Sequence, residues 1–246
     1  MQKFNNLITA ISLLIISLSA CEVNFITSNE PELKPSASPS ASAKPNIMAS
    51  TEPEPIASVT PPVSMPPLAI GTFVQAESCP DAGFNNLVEN GSFESPDAGS
   101  LYMMPPNPFG GWEIVAGSVD VVGGFWQAAV GKQSLDLSGG SAGTIEQTVS
   151  ALNAGQPHRM VLCLAGNTEG GSKIKELEVL WNSRNLGKLS FDTTGKSVQN
   201  MGWVSHSIVL PGNLINASNR LTLRSLNDDF YGPAIDGVSI YEIISP

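Results

Sequence analysis

From Cys79 to Ile243 the apolar residues of this 246-residue chain come in short alternating runs separated by glycine, asparagine, proline and serine. No long stretch keeps the spacing of an amphipathic helix, so the segment is restricted to strands and turns. The pattern is plainest between Gly117 and Gly140. Val119 and Val121 alternate with Asp120, and Leu135 and Leu137 alternate with Ser134, Asp136 and Ser138, the period of two of half-buried strands. Between them a glycine-rich loop carries Phe125 and Trp126, two large apolar side chains on a connection expected to be exposed. The predicted strands are Asn86–Val88, Trp112–Val115, Val119–Val122, Gln133–Leu137, Thr144–Val149, Arg159–Ala165, Lys175–Trp181, Leu189–Asp192, Trp203–Leu210, Arg220–Ser225 and Gly237–Tyr241. Met160, Leu162 and Leu164 alternate with Val161, Cys163 and Ala165, which predicts a central strand covered on both faces. Many short strands at this spacing indicate an all-β sandwich or barrel, placed at residues 77–246.

Two segments ahead of this module are expected to take no part in the fold. Lys3 and the apolar run Leu7–Leu18, too short for a bilayer core of ~30 Å, mark residues 1–20 as a signal peptide. The run ends in Leu18-Ser19-Ala20-Cys21, which resembles the lipobox of bacterial lipoproteins. The alternative is an ordinary signal peptide that happens to precede a cysteine. The resemblance implies a lipidated Cys21 as the new N-terminus and membrane attachment through its acyl chains. With Glu22 next, and no aspartate there, it implies the outer membrane where the cell has two. Residues 21–76 follow as a tether. From about Ser28 to Ala69 the chain is rich in Pro, Ser, Ala and Glu, too poor in apolar residues to offset the entropy of ordering. Its prolines favour an extended spacer with a reach on the order of 100 Å at ~3.1 Å per residue. The 22 acidic residues against 12 basic ones argue against a nucleic-acid partner.

Several motifs within the module stand in a fixed order. Asn86-Leu87-Val88-Glu89-Asn90-Gly91-Ser92-Phe93-Glu94 opens it, followed by Gly111-Trp112, Gly117-Ser118-Val119-Asp120 and Ser134-Leu135-Asp136-Leu137-Ser138-Gly139. Leu164-Ala165-Gly166-Asn167, Met201-Gly202-Trp203 and Tyr231-Gly232-Pro233-Ala234-Ile235-Asp236-Gly237-Val238-Ser239 complete the series. Together they resemble the bacterial "choice-of-anchor C" family, related to the plant cell-wall proteins grouped as domain of unknown function 642. The resemblance covers nearly the whole module and neither segment ahead of it. It implies a galactose-binding-like jelly-roll β-sandwich, the architecture of many carbohydrate-binding modules, and association with cell-wall or extracellular polysaccharide. The expectation is therefore a monomeric, lectin-like, non-catalytic binding module at the cell envelope. The alternative is a structural or adhesion lipoprotein that binds another protein and has no glycan affinity.

Asp236 shares its parity with Val238 and Ile240, which points a carboxylate toward the side of core residues; a hard cation is one way to satisfy such a charge. Glu94, at the end of the opening strand, is the natural partner. Similar carbohydrate-binding modules hold a structural calcium there, with carbonyl donors that map onto Ser92 and Lys132. The alternative is two carboxylates held by backbone donors or by Lys132. Gly237 stands where the family often has a second acid.

Sugar recognition needs an aromatic platform flanked by amide and carboxylate groups. Trp126 is the first choice, with Gln127 beside it, then Tyr102 and Tyr231; the alternative for Trp126 is a cap on the core. Trp112, Trp181 and Trp203 read as core, and Asp228-Asp229 as a solvated turn. Cys79 and Cys163 allow one disulfide in an exported protein, the alternative being a buried free Cys163. No CxxC motif or Cys/His cluster suggests zinc, and no Gly-x-Ser-x-Gly motif suggests a serine hydrolase. His158 and His206 read as structural. Glu113, Asp120, Asp136 and Glu146 are the carboxylates a glycosidase would draw on, but the ~5–9 Å separation that chemistry needs is not encoded in spacing. The expectation is that the chain is not an enzyme.

Overall fold

The computed structural model describes residues 71–80 and 85–244. Cys21 and the tether up to residue 70 lie outside the described residues. The strands are β1 (Val74–Gln75), β2 (Tyr102–Met103), β3 (Glu113–Ala116), β4 (Asp120–Val122), β5 (Ser134–Asp136), β6 (Thr144–Ser150), β7 (His158–Gly166), β8 (Ile174–Trp181), β9 (Arg184–Asp192), β10 (Val204–Leu210), β11 (Ser218–Ser225) and β12 (Pro233–Glu242). A short 3-10 turn, Gly212–Leu214, is the helical element among the described residues. The strands form two antiparallel sheets, one ordered β1-β10-β7-β12-β5-β4-β2 and the other β3-β6-β11-β8-β9. This is the sandwich of the two architectures the alternation allowed, and the jelly roll that the family resemblance implied.

β7 lies between β10 and β12 and is buried along almost its whole length, as predicted for a strand with apolar residues of both parities. Met160, Leu162 and Leu164 meet Leu135, Leu177, Val179, Leu221, Leu223 and Ile240 in the fully buried core between the sheets. Trp112 and Trp181 are also fully inside, Trp112 tilted against Phe93 at 5.7 Å. Trp203 is only partly buried and donates its indole N–H to the Gln127 carbonyl at 2.8 Å.

Four features depart from the sequence reading. Asn86–Val88 is not a strand, because a side chain replaces the ladder: the Asn86 amide donates to the Val238 carbonyl at 2.9 Å and accepts from the Ile240 N–H at 3.1 Å. β9 begins at Arg184, well ahead of Leu189, because Asn182 and Ser183 both take left-handed φ (52° and 64°), the geometry of a tight two-residue hairpin. β1 falls before the expected module start at residue 77 and adds an edge to β10. The parity assigned to Asp236 is reversed. Asp236 pairs with Cys163 and Ser239 with Val161, so three steps on β12 match two on β7. The extra residue is a β-bulge at Gly237, φ 53°, and it turns Asp236 away from the side occupied by Ile240.

Cys79 and Cys163 are joined in a disulfide, with Cα atoms 5.6 Å apart. The bond ties the segment entering the module to the central strand, so the buried free thiol is the reading that fails. Replacing both cysteines by alanine is expected to lower unfolding free energy by about 2–4 kcal/mol without changing the strand content. Denaturant titration followed by far-UV circular dichroism checks both parts.

Candidate functional site

Asp120 of β4 faces Asp136 of β5 across the ladder, and Val122 faces Tyr102 of β2 on one side and Ser134 of β5 on the other. Side chains alternate along each strand, so these residues share one face of the seven-stranded sheet. Val121 and Leu135, paired with each other, turn to the opposite face and are buried in the core. A cleft of about 430 Å³ opens over the polar face, its walls supplied by the loops that carry Phe125, Asn167 and Tyr231.

The cleft is aromatic at its rim. Tyr102 is 57% exposed and Phe230 62%, and Phe125 meets Tyr102 edge-on at 5.8 Å. Trp126 also lines it but is only 4% exposed. Its indole N–H donates to the Ser134 hydroxyl at 2.7 Å, and it belongs to the hydrophobic core. An exposed platform at Trp126 is therefore corrected to a core cap with one side on the cleft. Gln127 is exposed but does not line the cleft; its main chain holds the loop by donating to the Val198 carbonyl and accepting from Trp203. Tyr102 and Tyr231 are in the cleft, as the aromatic reading requires.

Asp136 is engaged on both oxygens. One accepts from the Ser138 and Gly232 N–H groups at 2.9 and 3.2 Å, and the other from the Asn167 amide at 2.8 Å. Burial pushes this carboxyl up to about 7 against those donors, and the Asp120 charge adds to the rise. Asp120 is different. It is half-buried, burial alone pushes it up, and no donor among the described residues offsets the shift. Its carboxylate accepts no hydrogen bond from the described residues and is partly open to the cleft. Lys175 braces the opposite wall from behind: its fully buried ammonium donates to the carbonyls of Gly170 (2.8 Å) and Tyr231. Glu113 faces Glu146 on the other sheet, where Glu146 is held by Arg220 and Thr222.

Sequence reasoning found Tyr102 and Tyr231 but missed Asp120, Glu169 and Phe230 as members of one site. The signal for Asp120 was present, as the polar residue between Val119 and Val121. Nothing in the spacing brings Glu169 and Phe230 to it.

Asp236 sits on β12, elsewhere in the same sheet, and Glu94 in the connection between β1 and β2, not at the end of an opening strand. One Asp236 oxygen accepts from the Ala129 and Val130 N–H groups at 2.9 and 2.8 Å, and the other from its neighbour Gly237 at 2.7 Å. Glu94, exposed, accepts from the Lys132 and Gln133 N–H groups at 2.8 and 3.0 Å. Lys132 thus contributes a donor and not the carbonyl assigned to it, and Ser92 is buried in the turn before Glu94. N–H groups answer a carboxylate, whereas a hard cation takes oxygens. Among the described residues no group of three or more His, Cys, Asp or Glu side chains is placed to hold a metal. The arrangement is the backbone-donor alternative, and it does not fit calcium as drawn.

A larger cavity of about 610 Å³ lies beside His158, Ser239 and Tyr241. Its lining residues form no comparable aromatic rim.

Residues 86–241 match the family described as a protein of unknown function, DUF642. The chain belongs to this family. The DUF642 module, the cleft and the Asp236 cage all fall inside the matched span. Halomucin of Haloquadratum walsbyi is 28% identical over an alignment of 176 residues that covers 65% of this chain and 2% of halomucin. This chain thus spans a small fraction of that protein's length. Among solved structures, TmCBM61 in complex with beta-1,4-galactotriose is 17% identical at a TM-score of 0.41, covering 64% of this chain and 99% of that one. A family 35 carbohydrate-binding module from Clostridium thermocellum is 14% identical at 0.35, covering 58% and 92%. The CBM22-1 xylan-binding domain of Paenibacillus barcinonensis Xyn10C is 17% identical at 0.37, covering 59% and 95%.

Two outcomes are expected of the DUF642 module's buried carboxyls. Burial pushes Asp136 and Asp236 up to about 7 from the ordinary 3.8. Between those values the folded chain binds more protons than the unfolded one, so their contribution to stability is full below 3.8 and is lost as pH rises through about 7. Melting temperatures measured across that window should fall with rising pH, and Asp236→Asn should flatten the slope. Calcium should leave the melting temperature unchanged. A rise reversed by chelator would show that the Glu94/Asp236 region rearranges to bind the ion.

Proposed function

We propose that this chain is a non-catalytic carbohydrate-binding protein of the cell envelope, lipid-anchored through Cys21, with the cleft over β2, β4 and β5 as its binding site. The outer membrane is the favoured location where there are two. The observation that supports the reading is the juxtaposition of Tyr102, Phe125 and Phe230 with the half-buried carboxylate of Asp120, which no donor among the described residues engages. Aromatic faces suit the apolar face of a pyranose ring, and a partly desolvated acceptor suits its hydroxyls. Asp136 is committed to backbone and amide donors, which speaks for holding a ligand over transferring protons to it.

A second reading rests on Leu101 and Met104, which are 60% and 63% exposed beside the aromatic rim. Aliphatic side chains do not stack on sugars, and a patch of this kind suits a protein partner. Affinity gel electrophoresis against cell-wall and capsular polysaccharides separates the two. Tyr102→Ala and Phe230→Ala remove exposed rings, so each should weaken retention roughly tenfold, about 1–2 kcal/mol, at an unchanged melting temperature. Trp126→Ala serves as the contrast, destabilising the fold by about 3–5 kcal/mol. Unaltered mobility in every gel would favour the protein-partner reading.

A further inference from the structure

The charge of the cleft narrows its ligand, an inference that rests on the carbohydrate reading above. The charged side chains among its lining residues are Asp120, Asp136 and Glu169, all acidic. The Lys175 ammonium is fully buried behind Tyr231 and donates to two carbonyls, and its charge bears on Asp136 and not on Asp120 among the cleft's carboxyls. Asp120 has a fixed place in the floor. It pairs with Asp136 across the ladder, and a Cβ at Gly139 would lie 3.1 Å from one of its oxygens. A side chain at Gly139 would crowd this oxygen, and the half-buried carboxylate lines the cleft. Asp120 accepts hydroxyl hydrogens, while a ligand carboxylate or sulfate would meet like charge at a partly desolvated position, where repulsion is weakly screened.

We infer that the cleft selects neutral polysaccharide and rejects uronic or sulfated chains, with Asp120 the residue that discriminates. The rim aromatics supply affinity that is indifferent to charge. Asp120 and Glu169 supply the sign, since Asp136 is pushed up to about 7 and has both oxygens engaged. Glu169, exposed on the loop after β7, adds to the field without contributing to the fold.

Matched ligands isolate charge from sugar identity. The full chain is run in affinity gels of galactan, β-glucan and galactomannan, each beside its sulfated derivative, at low and at moderate salt. At low salt the neutral form is expected to retain the protein on the order of tenfold more strongly than its sulfated counterpart, and added salt should narrow the gap. Asp120→Asn should shrink the ratio several-fold at an unchanged melting temperature. Glu169→Gln, on an exposed loop where folding is not at stake, should shrink it less. Equal or stronger retention by a sulfated chain would overturn the selectivity and leave the carbohydrate reading standing. Retention by no gel of either kind would overturn both.

Discussion

The carboxylate of Asp236 is the contact on which the rest of the binding face depends. It is buried and collects N–H donors from Ala129, Val130 and Gly237. Because Ala129 and Val130 belong to the connection between β4 and β5, the bond fixes the loop that also carries Phe125 and Trp126. Trp126 then anchors on Ser134, and Gln127 on Val198. A hydrophobic contact alone would permit the loop to slide. Directed hydrogen bonds from three N–H groups set its register against the sheet. The bulge at Gly237 makes this possible, since an unbroken ladder would aim Asp236 into the core.

Much of this was legible in the residues, for a reason that differs from element to element. β7 was readable because both parities are apolar, and only a strand covered on two sides needs that. β6, β8 and β11 were readable because polar and apolar positions alternate against a solvated outer face. The short segment Asn86–Val88 reads as a strand yet forms none, because the Asn86 amide mimics a peptide unit. Pattern counts do not distinguish a side-chain amide from a main-chain one. The reversed parity of Asp236 has a similar cause. A single glycine at positive φ changes the face of every residue on one side of it, and Gly237 was legible only as an unusual residue within a strand.

The candidate site was harder to see. Its floor comes from adjacent strands and its aromatic rim from distant loops, so proximity arises from closing the sandwich and leaves no trace in spacing. Trp126 misled because a large ring on a glycine-rich loop resembles an exposed platform. The Ser134 hydroxyl, invisible from the ring's own neighbourhood, is what lets the indole sit inside with its N–H satisfied. Conversely, Asp120 and Asp136 look alike in sequence, each a polar residue between apolar ones. Only their surroundings separate the acceptor that is already full from the one that is open.

The bond between Cys79 and Cys163 also has a mechanical side. β1 is a two-residue edge strand held by a single neighbour, so tension applied to the chain ahead of it would peel that edge open first. Beyond that point the load path leaves the hydrogen-bonded ladder and runs through a covalent link into β7, an inner strand of the same sheet. A module built this way can lose its first strand under traction and keep the cleft, which lies at the far border of the same sheet, in working shape.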